Sequence, residues 1–391
     1  MLRVHKVELA PNNRQSTFFA RACGVARFAW NWALAEWKRQ YEADEKPNEA
    51  ALRRRLNALK ADAFPWMLEV PKTAPQQAIK DLGQAFQHFF RRVKQGGKPG
   101  YPRFKKRGIH DSFRADNGPP AKGQDAVAVD GRRVRVPKLG WVRMREPLRF
   151  QGQVKSLVIS RKVDRWFAAI AVETETLPHA SRKNHGGAVG VDFGIKALAT
   201  LSTGEVVIGP KPHRAKLRRL VRLSRSLSRK KKGSANREKA KRRLARLHRQ
   251  IADIRNDAIH KLTTRLVLEY DLIGIEDLNV RGMVRNRHLA RSIMDQAFHE
   301  IRRQLEYKAD WYGAQVVVAD RFFPSTKMCS GCGAVQAMPL SARTMRCGCG
   351  LEIDRDLNAA INLERYASTA SSAGIDACGE HGAGAMASAT A

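Results

Sequence analysis

The sequence predicts a multidomain protein that joins an α+β module to an α/β domain. Three observations carry this. Residues 113–176 break into short alternating runs with turn signals between them, the pattern of a small, hairpin-built β module. Beyond residue 187, apolar strands that each bear an acid alternate with long helical patterns, the pattern of an α/β domain. Four cysteines crowd between positions 329 and 349, just ahead of a last helix that opens on an acidic pair.

Length and composition agree. At 391 residues the chain allows two or three domains, and 43% hydrophobic content allows a large core. The formal net charge of +35, from 72 Lys and Arg against 37 Asp and Glu, calls for a polyanionic partner, nucleic acid first. A membrane is the rival, but no apolar run approaches the ~20 residues of a spanning helix, and MLRVHKVELAP lacks a signal-peptide core. The expectation is a cytoplasmic protein with no membrane association and no obligate protein partner.

In chain order, RVHKVEL at 3–9 alternates as a strand, and Pro11 with Asn12-Asn13 introduces a long helix. Its stripe of Phe18, Phe19, Cys23, Val25, Phe28, Ala29, Trp32, Ala33 and Trp37 reads as core, with Cys23 a small buried residue. Further helices are expected at about 47–63 and 73–95. The runs AVAV, RVRVP, WVRM, VKSLVIS and WFAAIAVE follow, with Asp130-Gly131 as a hairpin turn. If the first strand pairs with these runs, the helices (11–105) are inserted into a β module formed by 1–10 and 106–180. ETLPHASRKNHGG reads as a linker.

AVGVDFGIKALAT then reads as one apolar strand with Asp192 in its middle, a costly position unless the carboxylate is paired or holds a cation. Residues 211–255 carry 19 Lys and Arg against Glu238 and Asp253. Leu217, Leu220 and Leu227, then Leu244, Leu247, Ile251, Ile254, Ala258 and Leu262, make the seam of an antiparallel helical hairpin (211–268). Its basic exterior, including Arg218, Arg222, Lys230, Lys231 and Arg242, suits phosphate contact. DLIGIEDLNVRGM is a buried strand ending in Glu276, a long helix covers about 295–312, and AQVVVAD is the next strand.

Hydrolysis of a phosphodiester by two divalent ions needs a few carboxylates at one point. The ribonuclease H-like fold supplies them from a first strand, a later strand and a C-terminal helix. Asp192, Glu276 and one of Asp354 or Asp356 have that order. Asp356, Ala359, Ala360 and Leu363 share one helix face, so Asp356 is the expected ligand and Asp354 the N-cap. Magnesium suits an all-oxygen site. Cys329, Cys332, Cys347 and Cys349, spaced CxxC, fourteen residues, CxC, fit a structural zinc.

The motifs GVDFGIKALAT, LIGIEDLNVRGM, RQLEYKADWYG followed by CSGCG, and DRDLNAAINL, with KPGYPRFKKR upstream, resemble the TnpB family, nucleases of insertion sequences related to type V CRISPR effectors. The likeness extends to about residue 366. It implies an RNA-guided DNA endonuclease acting on double- and single-stranded DNA beside a short adjacent motif. It also implies a RuvC-like core (181–325 and 351–366) with a zinc knuckle (326–350), two Mg2+ ions on Asp192, Glu276 and Asp356, a wedge-like β-barrel, a helical recognition lobe and a guide RNA partner. Lys72 and Gln76 match positions where relatives read the adjacent motif, although Pro75 departs from the pattern. The tail, 367–391, is small-residue rich and expected to be disordered. The alternatives are a CRISPR-associated effector, a nuclease-inactive RNA-guided repressor, and a strand-joining transposase, for which no tyrosine or serine recombinase motif is present.

Overall fold

A computed structural model describes residues 1–109, 111–117, 127–174, 186–339 and 342–372. The chain divides into two units, Met1–Thr176 and Leu177–Ala391. The expected linker lies almost entirely outside the described residues, as does the tail beyond 372.

In the first unit, β1 (Leu2–Leu9) turns Arg3, His5, Val7 and Leu9 inward. The Asn12 side chain accepts from the Gln15 amide while Gln15 returns a bond to the Asn12 amide, a capping box that starts α1 (Asn13–Glu42). After α1 come α2 (Glu49–Leu59), a 3-10 turn at Pro65–Glu69, and α3 (Thr73–Lys94). The aromatic stripe packs inward: Phe19, Cys23 and Ala33 are buried, and Trp37 stacks on Phe86 of α3 at 4.2 Å between centroids. Burial pushes the Cys23 thiol up to about 12, as befits an inert core residue.

β2 (Ser112–Asp116) follows, then the meander β3 (Ala128–Asp130), β4 (Arg133–Val136) and β5 (Gly140–Arg143), turning at Asp130-Gly131 with Gly131 at φ +52°. β6 (Gln153–Lys162) and β7 (Arg165–Glu173) complete the unit. One antiparallel sheet has the order β1-β7-β6-β2, and a Leu9–Met144 bridge joins β1 to the end of the β3-β4-β5 meander. β1 pairs with β7 along its whole length, so the three helices interrupt a sheet in sequence.

The second unit opens with β8 (Ala188–Asp192), β9 (Ala199–Leu201) and β10 (Val206–Val207). The expected single strand through Asp192 is thus two strands: β8 ends at Asp192, and the chain turns back to pair β9 antiparallel to it. The basic hairpin is α4 (Pro212–Ser228) and α5 (Ala235–Glu269), sealed by Leu220, Leu247 and Ile251. The N-terminus of α4 is pinned by buried Asp295, whose carboxylate accepts from the His213 and Arg214 amides (both within 3.2 Å) and from Arg255 at 2.9 Å.

Then come β11 (Leu272–Glu276), α6 (Val280–Met283), α7 (Ala290–Gln296), α8 (Phe298–Tyr312), β12 (Gln315–Ala319), β13 (Thr344–Arg346), β14 (Glu352–Asp354) and α9 (Arg355–Ser372). The helix expected at 295–312 is broken at Ala297, which adopts the left-handed conformation (φ +55°). The break lets Asp295 cap α4 and Gln296 donate to the Ile195 carbonyl at 3.0 Å.

The main sheet has the order β10-β9-β8-β11-β12, with β8, β11 and β12 parallel. α9 packs on it. Gly190 of β8 and Gly274 of β11 are register partners, and a Cβ at Gly190 would overlap the Ala360 carbonyl while one at Gly274 would overlap that of Leu363. The helix continues beyond 366: residues 367–372 are helical and Ala367 is fully buried, so the expected tail begins six residues too early. Ala367 extends the face that lies against Gly274.

Gly274→Val is expected to destabilise the second unit by more than ~3 kcal/mol, because backbone rather than a mobile side chain would have to yield. Gly100→Ala, at an open position, is expected to be neutral. Thermal unfolding and limited proteolysis of both variants check this.

Candidate active site

Val191 and Ile275 are paired in the parallel β8–β11 ladder, so the next residues, Asp192 and Glu276, leave adjacent strands at the same end of the sheet. α9 starts at that end. The Asp354 carboxylate accepts from the Asp356 and Leu357 amides at 2.9 and 3.2 Å, an N-cap that occupies it. Asp356 stands on the first turn, on the face that continues through buried Ala359, Ala360 and Leu363.

Asp192 is 8% exposed. Its carboxyl is held well above the ordinary range, first by burial and then by the negative charges of Glu276 and Asp356, with Arg355 opposing. Three acids therefore share one field. Burying the Asp192 carboxyl beside two half-buried acids is costly, and an oxygen-binding divalent cation is what offsets such a cost. Among the described residues, however, the three carboxylates do not come within 4.8 Å of one another as a group, whereas the four cysteines do.

Glu276 is held by a residue that sequence reasoning missed. The Ser325 hydroxyl donates to Glu276 Oε1, and Ser325 is 3% exposed. Its carbonyl accepts from Asn362 Nδ2 at 2.8 Å and more distantly from Asn358 Nδ2; both asparagines are buried and one turn apart on α9. The same two side chains donate to the Met328 carbonyl at 2.7 and 2.8 Å, and Asn358 Oδ1 accepts from the Ser330 amide at 2.8 Å. One helix thus presents Asp356, orients the loop that orients Glu276, and grips the segment bearing Cys329. Two asparagines four residues apart on an otherwise apolar helix face were a legible signal; Ser325 gave none.

At the cysteines, Cys329 and Cys349 lie 3.7 Å apart and Cys332 and Cys347 lie 3.5 Å apart. A tetrahedral site with ~2.3 Å metal–sulfur bonds has sulfur–sulfur edges of about 3.8 Å, so the four thiols can hold a metal ion such as zinc. The shortened CxC is accommodated by Gly350, which turns at φ +91° and returns its amide to the Cys347 carbonyl at 3.0 Å. Backbone amides of Cys332 and Gly331 help hold the Cys329 thiol down at about 6.

The remaining candidates are spread over the surface. Arg218, Arg222 and Lys230 line an open cleft of about 510 Å³ with Arg225 and Arg229, a basic stripe along α4, while Lys231 and Arg242 are exposed. In the first unit, Lys72 precedes α3 and is exposed, and Gln76 is half-buried in its first turn. Pro75 sits where the helix needs no amide donor. No helix among the described residues is long and apolar enough to cross a membrane.

Three family models match: a helix-turn-helix domain at residues 1–46, a probable transposase at 169–287 and a Cas12f1-like TNB domain at 298–363. A Streptomyces pristinaespiralis protein named "Putative RNA-guided DNA endonuclease" is 36% identical over 95% of this chain and 91% of its own length. The chain belongs to the TnpB family. An Escherichia coli K12 relative of the same description, InsQ, is 35% identical over 97% of the chain and 94% of its own. The TnpB chain also shares its multidomain α/β fold with Cas12f1, solved in complex with sgRNA and target DNA: the TM-score is 0.56 at 13% identity, covering 90% of this chain and 83% of that one.

A raised folded pKa means that native Asp192 keeps its proton where the unfolded chain has lost it. The parent's stability therefore falls as pH rises from the ordinary value of 3.8 through the raised one. Asp192→Asn is expected to remove this slope. In chelator, as pH rises above 3.8, the parent should lose thermal stability relative to the variant, and added magnesium should stabilise the parent alone.

Proposed function

We propose that the chain is an RNA-guided DNA endonuclease with a RuvC-like, ribonuclease H-like core in which Asp192, Glu276 and Asp356 are the catalytic ligands. The observation that carries this reading is the electrostatic one: two strand ends and a helix start bring three acids into a shared field that raises the Asp192 carboxyl. Two magnesium ions held by these residues would supply the activated water and stabilise the leaving oxygen. The protein's own part is to place the Asp192 carboxyl at the strand end, where a bound cation would favour its ionised form, to hold Glu276 by the Ser325 hydroxyl, and to keep Asp354 occupied as a cap so that Asp356 faces the sheet end. The cysteine knuckle, with zinc, would fix the segment that Asn358 and Asn362 grip.

RNA guidance and the DNA target come from the names of the relatives and from the charge of +35. Target choice then rests on base pairing, and the protein reads only a short flanking motif. In this reading the β module of the first unit is the wedge-like barrel, its helices with Lys72 and Gln76 the motif reader, and the basic face of α4 and α5, with Arg218, Arg222, Lys230, Lys231 and Arg242, a phosphate contact. The intact acids favour a nuclease over an inactive RNA-guided repressor.

Purified with co-expressed RNA, the protein is expected to cut a duplex that matches the guide and carries the adjacent motif, in magnesium but not in chelator. Asp192→Ala should bind the same duplex without cutting it. Undiminished cutting by that variant would remove Asp192 from the site.

One zinc per chain is expected by elemental analysis. Cys329→Ser with Cys332→Ser should abolish it and lower the melting temperature of the second unit.

A further inference from the structure

The turn from Asp320 to Ser325, between β12 and the first cysteine pair, treats two adjacent phenylalanines in opposite ways. Phe323 packs on Tyr366 of α9 with centroids 4.7 Å apart, whereas Phe322 is 87% exposed. Burying such a ring is favourable, so leaving it bare carries a cost. Single exposed apolar residues are common on loose loops. This one is on a turn tied at nearly every residue: the Phe322 amide donates to Asp320 Oδ1 at 2.8 Å, the Phe323 amide to the Asp320 carbonyl at 3.0 Å, and the Ser325 amide to the Phe323 carbonyl at 2.9 Å. The Asp320 amide reaches the Tyr366 hydroxyl at 3.4 Å, and the Arg321 guanidinium is held by Asp277, the residue after Glu276.

The other end of this turn is Ser325, which grips Glu276. Three residues of chain span at most about 11 Å, so the backbone that carries the bare ring lies within that reach of the residue that orients a candidate ligand. Exposed Arg321, ion-paired with Asp277, adjoins it in sequence and exposed Lys327 lies five residues on, in a chain of charge +35. An aromatic face on a tied turn, open to solvent in a strongly basic chain, matches how single-stranded nucleic acid is held: phosphates by the charges, a base by the ring.

We propose that Phe322 is a stacking platform for one unpaired nucleobase of the strand that enters the carboxylate site. The proposal rests on reading that site as a nuclease centre, and it narrows the substrate there to a strand that is single at this point, since a duplex hides its base faces. A stacked base would hold the adjacent backbone in register with the acids.

The test uses the full chain carrying Asp192→Ala, purified with its RNA, and two probes: a non-complementary oligothymidine of about 12 nucleotides and a fully abasic strand of equal length. The Asp192→Ala protein is expected to prefer the base-bearing strand. Adding Phe322→Leu should narrow that preference about five- to one-hundred-fold without changing affinity for the abasic strand or the melting temperature, and Phe322→Trp should restore it. Equal preference in the Phe322→Leu and parent proteins would overturn the stacking role and leave the nuclease reading standing. If the parent binds neither strand, the stacking role falls, and the nuclease reading stands or falls separately on the cutting of a matched duplex.

Discussion

The second unit depends on a backbone-to-backbone approach. Gly190 and Gly274 face each other across two parallel strands, and the absence of both side chains lets α9 lie on the sheet at a distance that any Cβ would forbid. Close approach sets where the first turn of α9 falls. It falls at the carboxyl ends of β8 and β11, beside Asp192 and Glu276, and the small residues Ala359 and Ala360 keep the contact flat. A helix seated higher on ordinary side chains would move Asp356 away from the strand ends. The site's geometry is thus fixed by atoms that are missing.

Around this contact the polar groups are arranged as a chain of dependence. Asn358 and Asn362 satisfy carbonyls that would otherwise be buried without partners at Ser325 and Met328, and so fasten the loop between sheet and knuckle to the same helix. Ser325 then fastens Glu276. The cysteine cluster is coupled to this system through the Ser330 amide and carbonyl, which meet Asn358 and Arg365. A disturbance at the knuckle therefore has a short covalent and hydrogen-bonded route to the carboxylates.

Much of this was legible in the sequence, for identifiable reasons. An acid in an apolar strand is conspicuous because burial makes it costly, and Asp192 stood out on that ground, while Glu276 stood out as the acid that ends a buried strand. That Asp354 caps the last helix and that Asp356 shares its sheet-facing side followed from capping chemistry and helical periodicity, both local rules. The sequence could not show that β8 stops at Asp192, since Phe193 to Leu201 remain apolar while the chain reverses. Nor could it show the break at Ala297, where nothing in the residue itself demands a left-handed backbone and the cause is tertiary, in the targets of Asp295 and Gln296. Ser325 escaped because a hydroxyl declares its partner only in three dimensions.

The pairing of β1 has a temporal side. The N-terminal ammonium donates to the Thr174 carbonyl, 173 positions away, and apart from the bridge from its last residue to Met144, β1 has no sheet partner until β7 exists. At ordinary translation speeds β1 waits on the order of ten seconds after it is made. During that wait α1 to α3 can close on local contacts, which form far faster. The exposed alternation of Leu2 and Val4 along a lone strand is an aggregation hazard in the same interval. The helices interposed in the sheet thus give the nascent chain a core of its own before its first strand finds a place.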